Sequence, residues 1–183
     1  VPPTLPSDDT RALLQSVVDV ARAIFVAAAS SVFLLDDEAG ELVFQAVSGE
    51  GEDLLVGTRF PAHRGIAGWV ASSGQAMIAD DLTLTRAFAR DLAESTGYVP
   101  SALMAAPLLS EGRVLGVLEV LDPSPRPRGG LQDLDLLALF AGQAAIALRV
   151  AGRAAPGAGS PSWGTTDEQM MDAFRDFLRH RAH

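Results

Sequence analysis

Gly65-Ile66-Ala67-Gly68-Trp69-Val70-Ala71, then Ile78-Ala79-Asp80-Asp81, then Ala106-Pro107-Leu108-Leu109-Ser110-Glu111-Gly112-Arg113-Val114-Leu115-Gly116-Val117-Leu118-Glu119-Val120-Leu121: the fold turns on this stretch. Gly74 is a natural stop for a helix that starts near Gly65, so 65–73 reads as one short helix. Glu111-Gly112 separates two apolar runs and supplies a two-residue hairpin turn, with glycine where a positive φ is needed. In the second strand Val114, Gly116, Leu118 and Val120 alternate with Leu115, Val117, Glu119 and Leu121, and both sets are mostly apolar. Such a strand is expected to be covered on both faces. A short helix, an irregular middle and a hairpin suit a sheet with a concave face and a lid over it. That arrangement holds or senses something rather than performing chemistry.

Upstream, Asp8 to about Ala29 reads as a helix capped by Asp8, Asp9 or Thr10. Leu14, Val17, Ala21, Ile24 and Ala28 recur at 3-4-3-4 spacing on one face. Ser31–Leu35 and Glu41–Val47 read as strands joined by the polar turn Asp36–Gly40, and 58–61 as a short third strand. Ala76–Ile78 reads as another. Between Asp80 and Tyr98 the pattern predicts a loop and then a helix on which Phe88 and Leu92 share a face, ended by Gly97. Downstream, Leu131 to about Arg153 is a long helix with a stripe of Leu134, Leu137, Ala141, Ala144 and Leu148. Leu136, Phe140, Gln143 and Ala147 form an adjacent face. The chain thus divides into a tail (1–9), a domain (10–153), a small-residue linker (154–164) and a C-terminal helix (165–183). Two overlapping capping boxes open that last helix, whose Met170, Met171, Phe174, Phe177 and Leu178 share a face.

Composition narrows the function. A chain of 183 residues, 48% hydrophobic and 20% charged, suits one globular domain with an appendage. A net charge of −9 disfavours phosphate backbones and anionic lipid, so neither nucleic acid nor a membrane is expected as a partner. With no cysteine, thiolate metal sites, cysteine nucleophiles and thioether attachment are excluded together. No apolar run reads as the ~20 residues of a membrane span, and the cytoplasm is the expected location. All basic residues apart from histidine are arginine, a bias of GC-rich bacterial genomes rather than of a function.

The order of elements resembles the GAF domain family. Gly65-Ile66-Ala67-Gly68-Trp69-Val70, Ile78-Ala79-Asp80, Ala106-Pro107-Leu108 through Leu121, and Phe140-Ala141-Gly142-Gln143-Ala144-Ala145-Ile146-Ala147-Leu148 carry the likeness, which spans roughly 10–150. The resemblance implies an α+β fold with a central antiparallel sheet of five or six strands. Terminal helices would cover one face, and a small-molecule pocket under a lid would occupy the other. It also implies a non-enzymatic signalling domain that binds a small effector and dimerises through its terminal helices.

The expected ligand contacts are Phe60, Gly65, Ile66, Asp80, Asp81, Phe88, Tyr98 and Met104. The expected partner contacts are Leu14, Val17, Ile24, Leu134, Leu137 and Ala141 for a homodimer, and Met170, Phe174 and Phe177 for a protein partner. Glu119, in an apolar strand, is expected to meet either an arginine such as Arg113 or Arg22 or a ligand donor, the arginine ahead, since an unpaired buried carboxylate is unfavourable.

The effector is unknown. Covalent bilin attachment in most such members needs a cysteine, as does the methionine sulfoxide reductase branch, and both are excluded. Haem ranks low because His63, the one histidine of the domain, sits beside Arg64 and reads as a surface residue. Cyclic nucleotides rank low because Asp122-Pro123 stands where such members often carry an Asn-Lys pair. Two aspartates at 80–81 without a histidine or a third acid make a poor metal site. The alternative to a sensor is a ligand-free module for dimerisation and docking.

Overall fold

Ser7, rather than Asp8, Asp9 or Thr10, caps the first helix: its hydroxyl accepts the Thr10 N–H at 3.3 Å. A serine oxygen one position before the helix reaches that amide, and the two aspartates then lie in the first turn, where the helix dipole favours them. The computed structural model describes residues 7–84, 90–95, 97–124 and 131–154. Two compact units divide the chain, Val1–Gly152 and Arg153–His183. The linker beyond 154, the helix expected from 165, and with them Met170, Phe174 and Phe177, lie outside the described residues.

The elements run α1 (Asp8–Phe25), β1 (Ala29–Asp36), β2 (Glu41–Gly49), α2 (Glu52–Leu55), β3 (Arg59–Pro61), α3 (Gly65–Ser73), β4 (Met77–Ala79), α4 (Arg90–Ser95), β5 (Leu103–Ser110), β6 (Arg113–Leu121) and α5 (Leu131–Ala154). The helix expected to reach Ala29 stops four residues sooner. Val26 adopts a left-handed conformation at φ 48°, and Ala29 already pairs with Gly49 and Leu121.

The six strands form one antiparallel sheet in the order β3-β2-β1-β6-β5-β4. At the β5–β6 turn both Glu111 (φ 53°) and Gly112 (φ 77°) are left-handed, the signature of a type I′ hairpin whose twist matches its strands. The register between these strands slips by one residue, Leu108 facing Gly116 and Leu109 facing Val114. Leu115 is the extra residue. It therefore packs with the helix-side core and not on the face of Val117 and Glu119, where strict alternation would put it.

Two cores flank the sheet. On one face Leu14, Val17, Val18, Ala21 and Phe25 of α1 and Leu137, Ala141, Ala144, Ala145 and Leu148 of α5 pack on Val32, Ala46, Met104, Ala106, Leu118 and Val120. On the other, Ile66, Ala67 and Val70 of α3 pack with Phe33, Leu42, Phe44, Phe60, Leu103, Ala105 and Val117. Each strand is thus divided residue by residue between two cores.

This packing corrects the expected partner contacts. Leu14, Val17, Leu137 and Ala141 are at most 6% exposed, and Ile24 and Leu134 pack against the same core. The most regular apolar stripe of each terminal helix is consumed by the chain's own sheet. What α5 leaves outward is a different set, Leu136, Leu139, Ile146 and Val150. Residues 132–152 are also long and apolar enough to cross a membrane by length and composition, contrary to the sequence expectation, although their inner stripe lies on the sheet.

Candidate functional site

On the face opposite the terminal helices lies a cavity of about 700 Å³ of free space, counting its mouth. Its floor is the centre of the sheet, from Ser31 and Phe33 of β1, Leu103 of β5, and Glu119 and Leu121 of β6. α3 supplies one wall through Gly65, Ile66 and Ala67, and the segment around Ala93, Tyr98 and Pro100 supplies the lid side. Glu50 and Arg64 are the remaining charged groups on the lining among the described residues.

The position of α3 depends on Gly68. A Cβ there would lie 2.8 Å from both Ala62 O and His63 C, which are backbone atoms that cannot swing aside. The glycine lets the helix return tightly over the chain that feeds it, bringing its N-terminal turn to the cavity wall. The opposite wall is aromatic, Phe44 and Phe60 packing against Phe33 of the floor. Phe33 and Phe44 have ring centroids 4.4 Å apart, and Phe60 meets Phe33 edge-on at 5.3 Å and 88°. Mutually tilted rings of this kind add a modest attraction to their burial and hold one another in place.

The lid side is tied down at two points. Arg64, just before α3, donates from one guanidinium nitrogen to both carboxylate oxygens of Asp91 in α4, at 2.8 and 2.7 Å. Asp122 receives the N–H groups of Ser101 and Ala102, both at 2.9 Å, on one oxygen and the Tyr98 hydroxyl on the other. Burial, then the hydrogen bond to Asp122, pushes the Tyr98 phenol up to about 12. In sequence Asp122 is notable only for departing from an Asn-Lys pair. Here it has a structural task.

Glu119 is the chemical outlier. It faces the cavity between Val117 and Leu121, with Ser31 and Ala105 as its cross-strand neighbours. Neither expected partner reaches it: Arg113 pairs with Asp37, and Arg22 donates Nε to Ala27 O. Its carboxyl makes no hydrogen bond among the described residues, and burial pushes it up to about 7. The residue keeps partial surface exposure because the cavity itself reaches it.

Of the expected ligand contacts, Phe60, Gly65, Ile66 and Tyr98 line the cavity. Met104 does not. Strand alternation points Leu103 and Ala105 to the cavity side and turns Met104, 1% exposed, into the helix-side core. Asp80 is exposed and off the lining. Asp81 instead takes the hydroxyl and, at 2.9 Å, the N–H of Thr83, and these bonds hold its carboxyl below the usual range. Phe88 lies outside the described residues. His63 is exposed and also off the lining. Sequence reading missed Ser31, Phe33 and Phe44. The signal was the period-two alternation of β1, in which Ser31 and Phe33 fall on one face.

Comparison with known proteins agrees with this architecture. A GAF domain profile matches residues 9–148. A probable 3′,5′-cyclic phosphodiesterase of Caenorhabditis elegans is 28% identical over 149 residues, which is 75% of this chain but 20% of that protein. The chain therefore spans about a fifth of that relative's length. Among solved structures, the GAF domain of a Coxiella burnetii phosphoenolpyruvate-protein phosphotransferase superposes with a TM-score of 0.69 at 23% identity, covering 82% of this chain and 87% of that one. Free methionine-R-sulfoxide reductase of Neisseria meningitidis, solved with its substrate, gives 0.61 at 23%, covering 85% and 86%. With its six-stranded antiparallel sheet, terminal helices on one face, cavity on the other, and a family profile spanning most of its length, the chain belongs to the GAF domain family, a regulatory and sensory small-molecule-binding fold.

Proposed function

We propose that this chain is a non-enzymatic regulatory domain that holds a small effector in the cavity and relays its presence through the terminal helices. The observation that carries the reading is the cavity itself: floored by the sheet, walled by α3 and three phenylalanines, and bordered by a lid segment tied through Asp122. The tie also leads somewhere. Two residues beyond Asp122, Ser124 donates its N–H to Phe25 O and its hydroxyl to Val26 O, both at 3.1 Å, at the C-terminal end of α1. An effector that moved Tyr98 would load Asp122 and, through this short span, the end of a terminal helix. The relay works only if the effector binds one lid arrangement more tightly than the other.

Cyclic nucleotides, suggested by the phosphodiesterase relative, rank behind other effectors. Asp122 is committed to Ser101, Ala102 and Tyr98, and the unpaired carboxylate on the floor repels a phosphate. The test is thermal unfolding of the full chain against a metabolite panel, with native mass spectrometry of the purified protein. A true effector at a hundred times its Kd stabilises by ~2.7 kcal/mol. No shift from any compound, together with a bare native mass, would overturn the reading. The outward apolar residues of α5 favour a second reading, a ligand-free module for dimerisation and docking. That negative result would leave it standing.

A further inference from the structure

The floor of the cavity states what kind of molecule suits it. Glu119 and Ser31 are directly opposite each other on neighbouring strands, both face the cavity, and neither side chain has a hydrogen-bond partner among the described residues. The adjoining Ser30 points to the other face and donates to Glu119 O at 3.0 Å, so the serine pair is divided between a structural task and an open one. Open only towards an apolar cavity, such an acceptor is less well solvated than in bulk water. Such a group persists most easily where a ligand completes it.

The surroundings narrow the ligand further. Phe33, Phe44 and Phe60 make the wall aromatic, and aromatic faces attract cations and stack on flat rings. Among the described residues, the charged or titratable groups that share the lining with Glu119 are Glu50, Arg64 and Tyr98. Arg64 is engaged by Asp91, Tyr98 donates to Asp122, and Glu50 adds to the negative side. An anionic ligand would meet two carboxylates against one guanidinium, which already gives one of its nitrogens to Asp91. A donor would meet a free carboxylate.

Resting on the effector-binding reading above, we propose that the cavity takes a small molecule with an apolar or aromatic body and an N–H donor, an amine or a ring N–H, which docks on the Glu119 carboxylate with the Ser31 hydroxyl beside it.

The experiment is isothermal calorimetry on the full chain at pH 8 with 2-phenylethylamine and adenine as donor probes and 3-phenylpropionate as the matched anion. The same titrations are run on Glu119→Met and Glu119→Gln, whose folding is checked by circular dichroism and thermal unfolding. A donor probe is expected to bind one per chain, at least ten-fold more tightly than 3-phenylpropionate. It should weaken ten-fold or more in the folded Glu119→Met, with Glu119→Gln between. Binding of 3-phenylpropionate as tight as the donors, or undiminished donor binding in Glu119→Met, overturns the inference and leaves the effector reading intact. If neither donor binds while the metabolite panel yields an effector without an N–H donor, the inference falls alone. If nothing in either set binds, both fall.

Discussion

Glu119 ties the chemistry of the site to the stability of the fold. Its carboxyl sits at about 7 because burial disfavours the charge, whereas in the unfolded chain it titrates near 4.5. Below the lower value both states hold the proton and the group adds no penalty. Between the two, the unfolded chain releases a proton that the folded one keeps, so folding weakens as pH rises. Above about 7 the loss is complete, roughly 3 kcal/mol by linkage. Urea unfolding at pH 5 and pH 8 should therefore show a drop in the native chain that narrows by about that amount in Glu119→Gln. Equal drops in both would mean that the carboxylate is solvated or paired in solution. Glu119 could be read from the sequence as an acid out of place in an apolar strand, but its lack of a partner could not. Arg113 and Arg22 were plausible until the hairpin brought Arg113 to Asp37 and the end of α1 turned Arg22 onto Ala27.

Elements were legible where a local rule decided them and illegible where a long-range contact did. α3 and the β5–β6 hairpin matched the sequence reading closely because a C-terminal glycine and a two-residue turn are local signals. The faces of β6 were read correctly from Gly116 to Leu121 but not before it, where a bulge set by the neighbouring strand puts Leu115 with the helix-side core and Val114 beside Gly74 at the end of α3. The lid side was hardest. Its anchor is Asp122, more than twenty residues beyond Tyr98 along the chain, and no pattern within the segment announces it. The same anchor gives an element-scale prediction. The chain has a single tyrosine, so absorbance at 295 nm after a rapid pH jump reads Tyr98 alone. The phenol should titrate near 12 in the native chain and fall towards its ordinary value of 10 in Asp122→Asn, where the acceptor loses its charge. An unchanged midpoint would mean that the lid side is not held by this bond and that the route to Ser124 is broken at its first step.

At the scale of the whole molecule, the question is what covers α5. Its inner stripe belongs to the sheet, yet Leu136, Leu139, Ile146 and Val150 remain between 41% and 71% exposed. With the exposed Gln143 they read 136-139-143-146-150, a 3-4-3-4 spacing that is the seam of a two-helix coiled coil, with one polar residue at its middle to fix register. The sequence alone had assigned the interface to the more regular stripe of Leu134, Leu137 and Ala141. Regularity there reflects packing on the sheet, and the weaker, broken stripe is the one left exposed, which makes it the face we propose for a second copy. A parallel pairing of two α5 helices would set the two cavities side by side on one output stalk, the arrangement a relay through terminal helices needs. Light scattering of the full chain at tens of micromolar should therefore give twice the 19.1 kDa of one copy. Leu139→Arg combined with Ile146→Arg should return it to a single copy, with thermal unfolding close to that expected for an isolated domain, because neither side chain contributes to the helix-side core. A native chain that runs as one copy, or a double variant that stays paired, would remove α5 as the dimer seam.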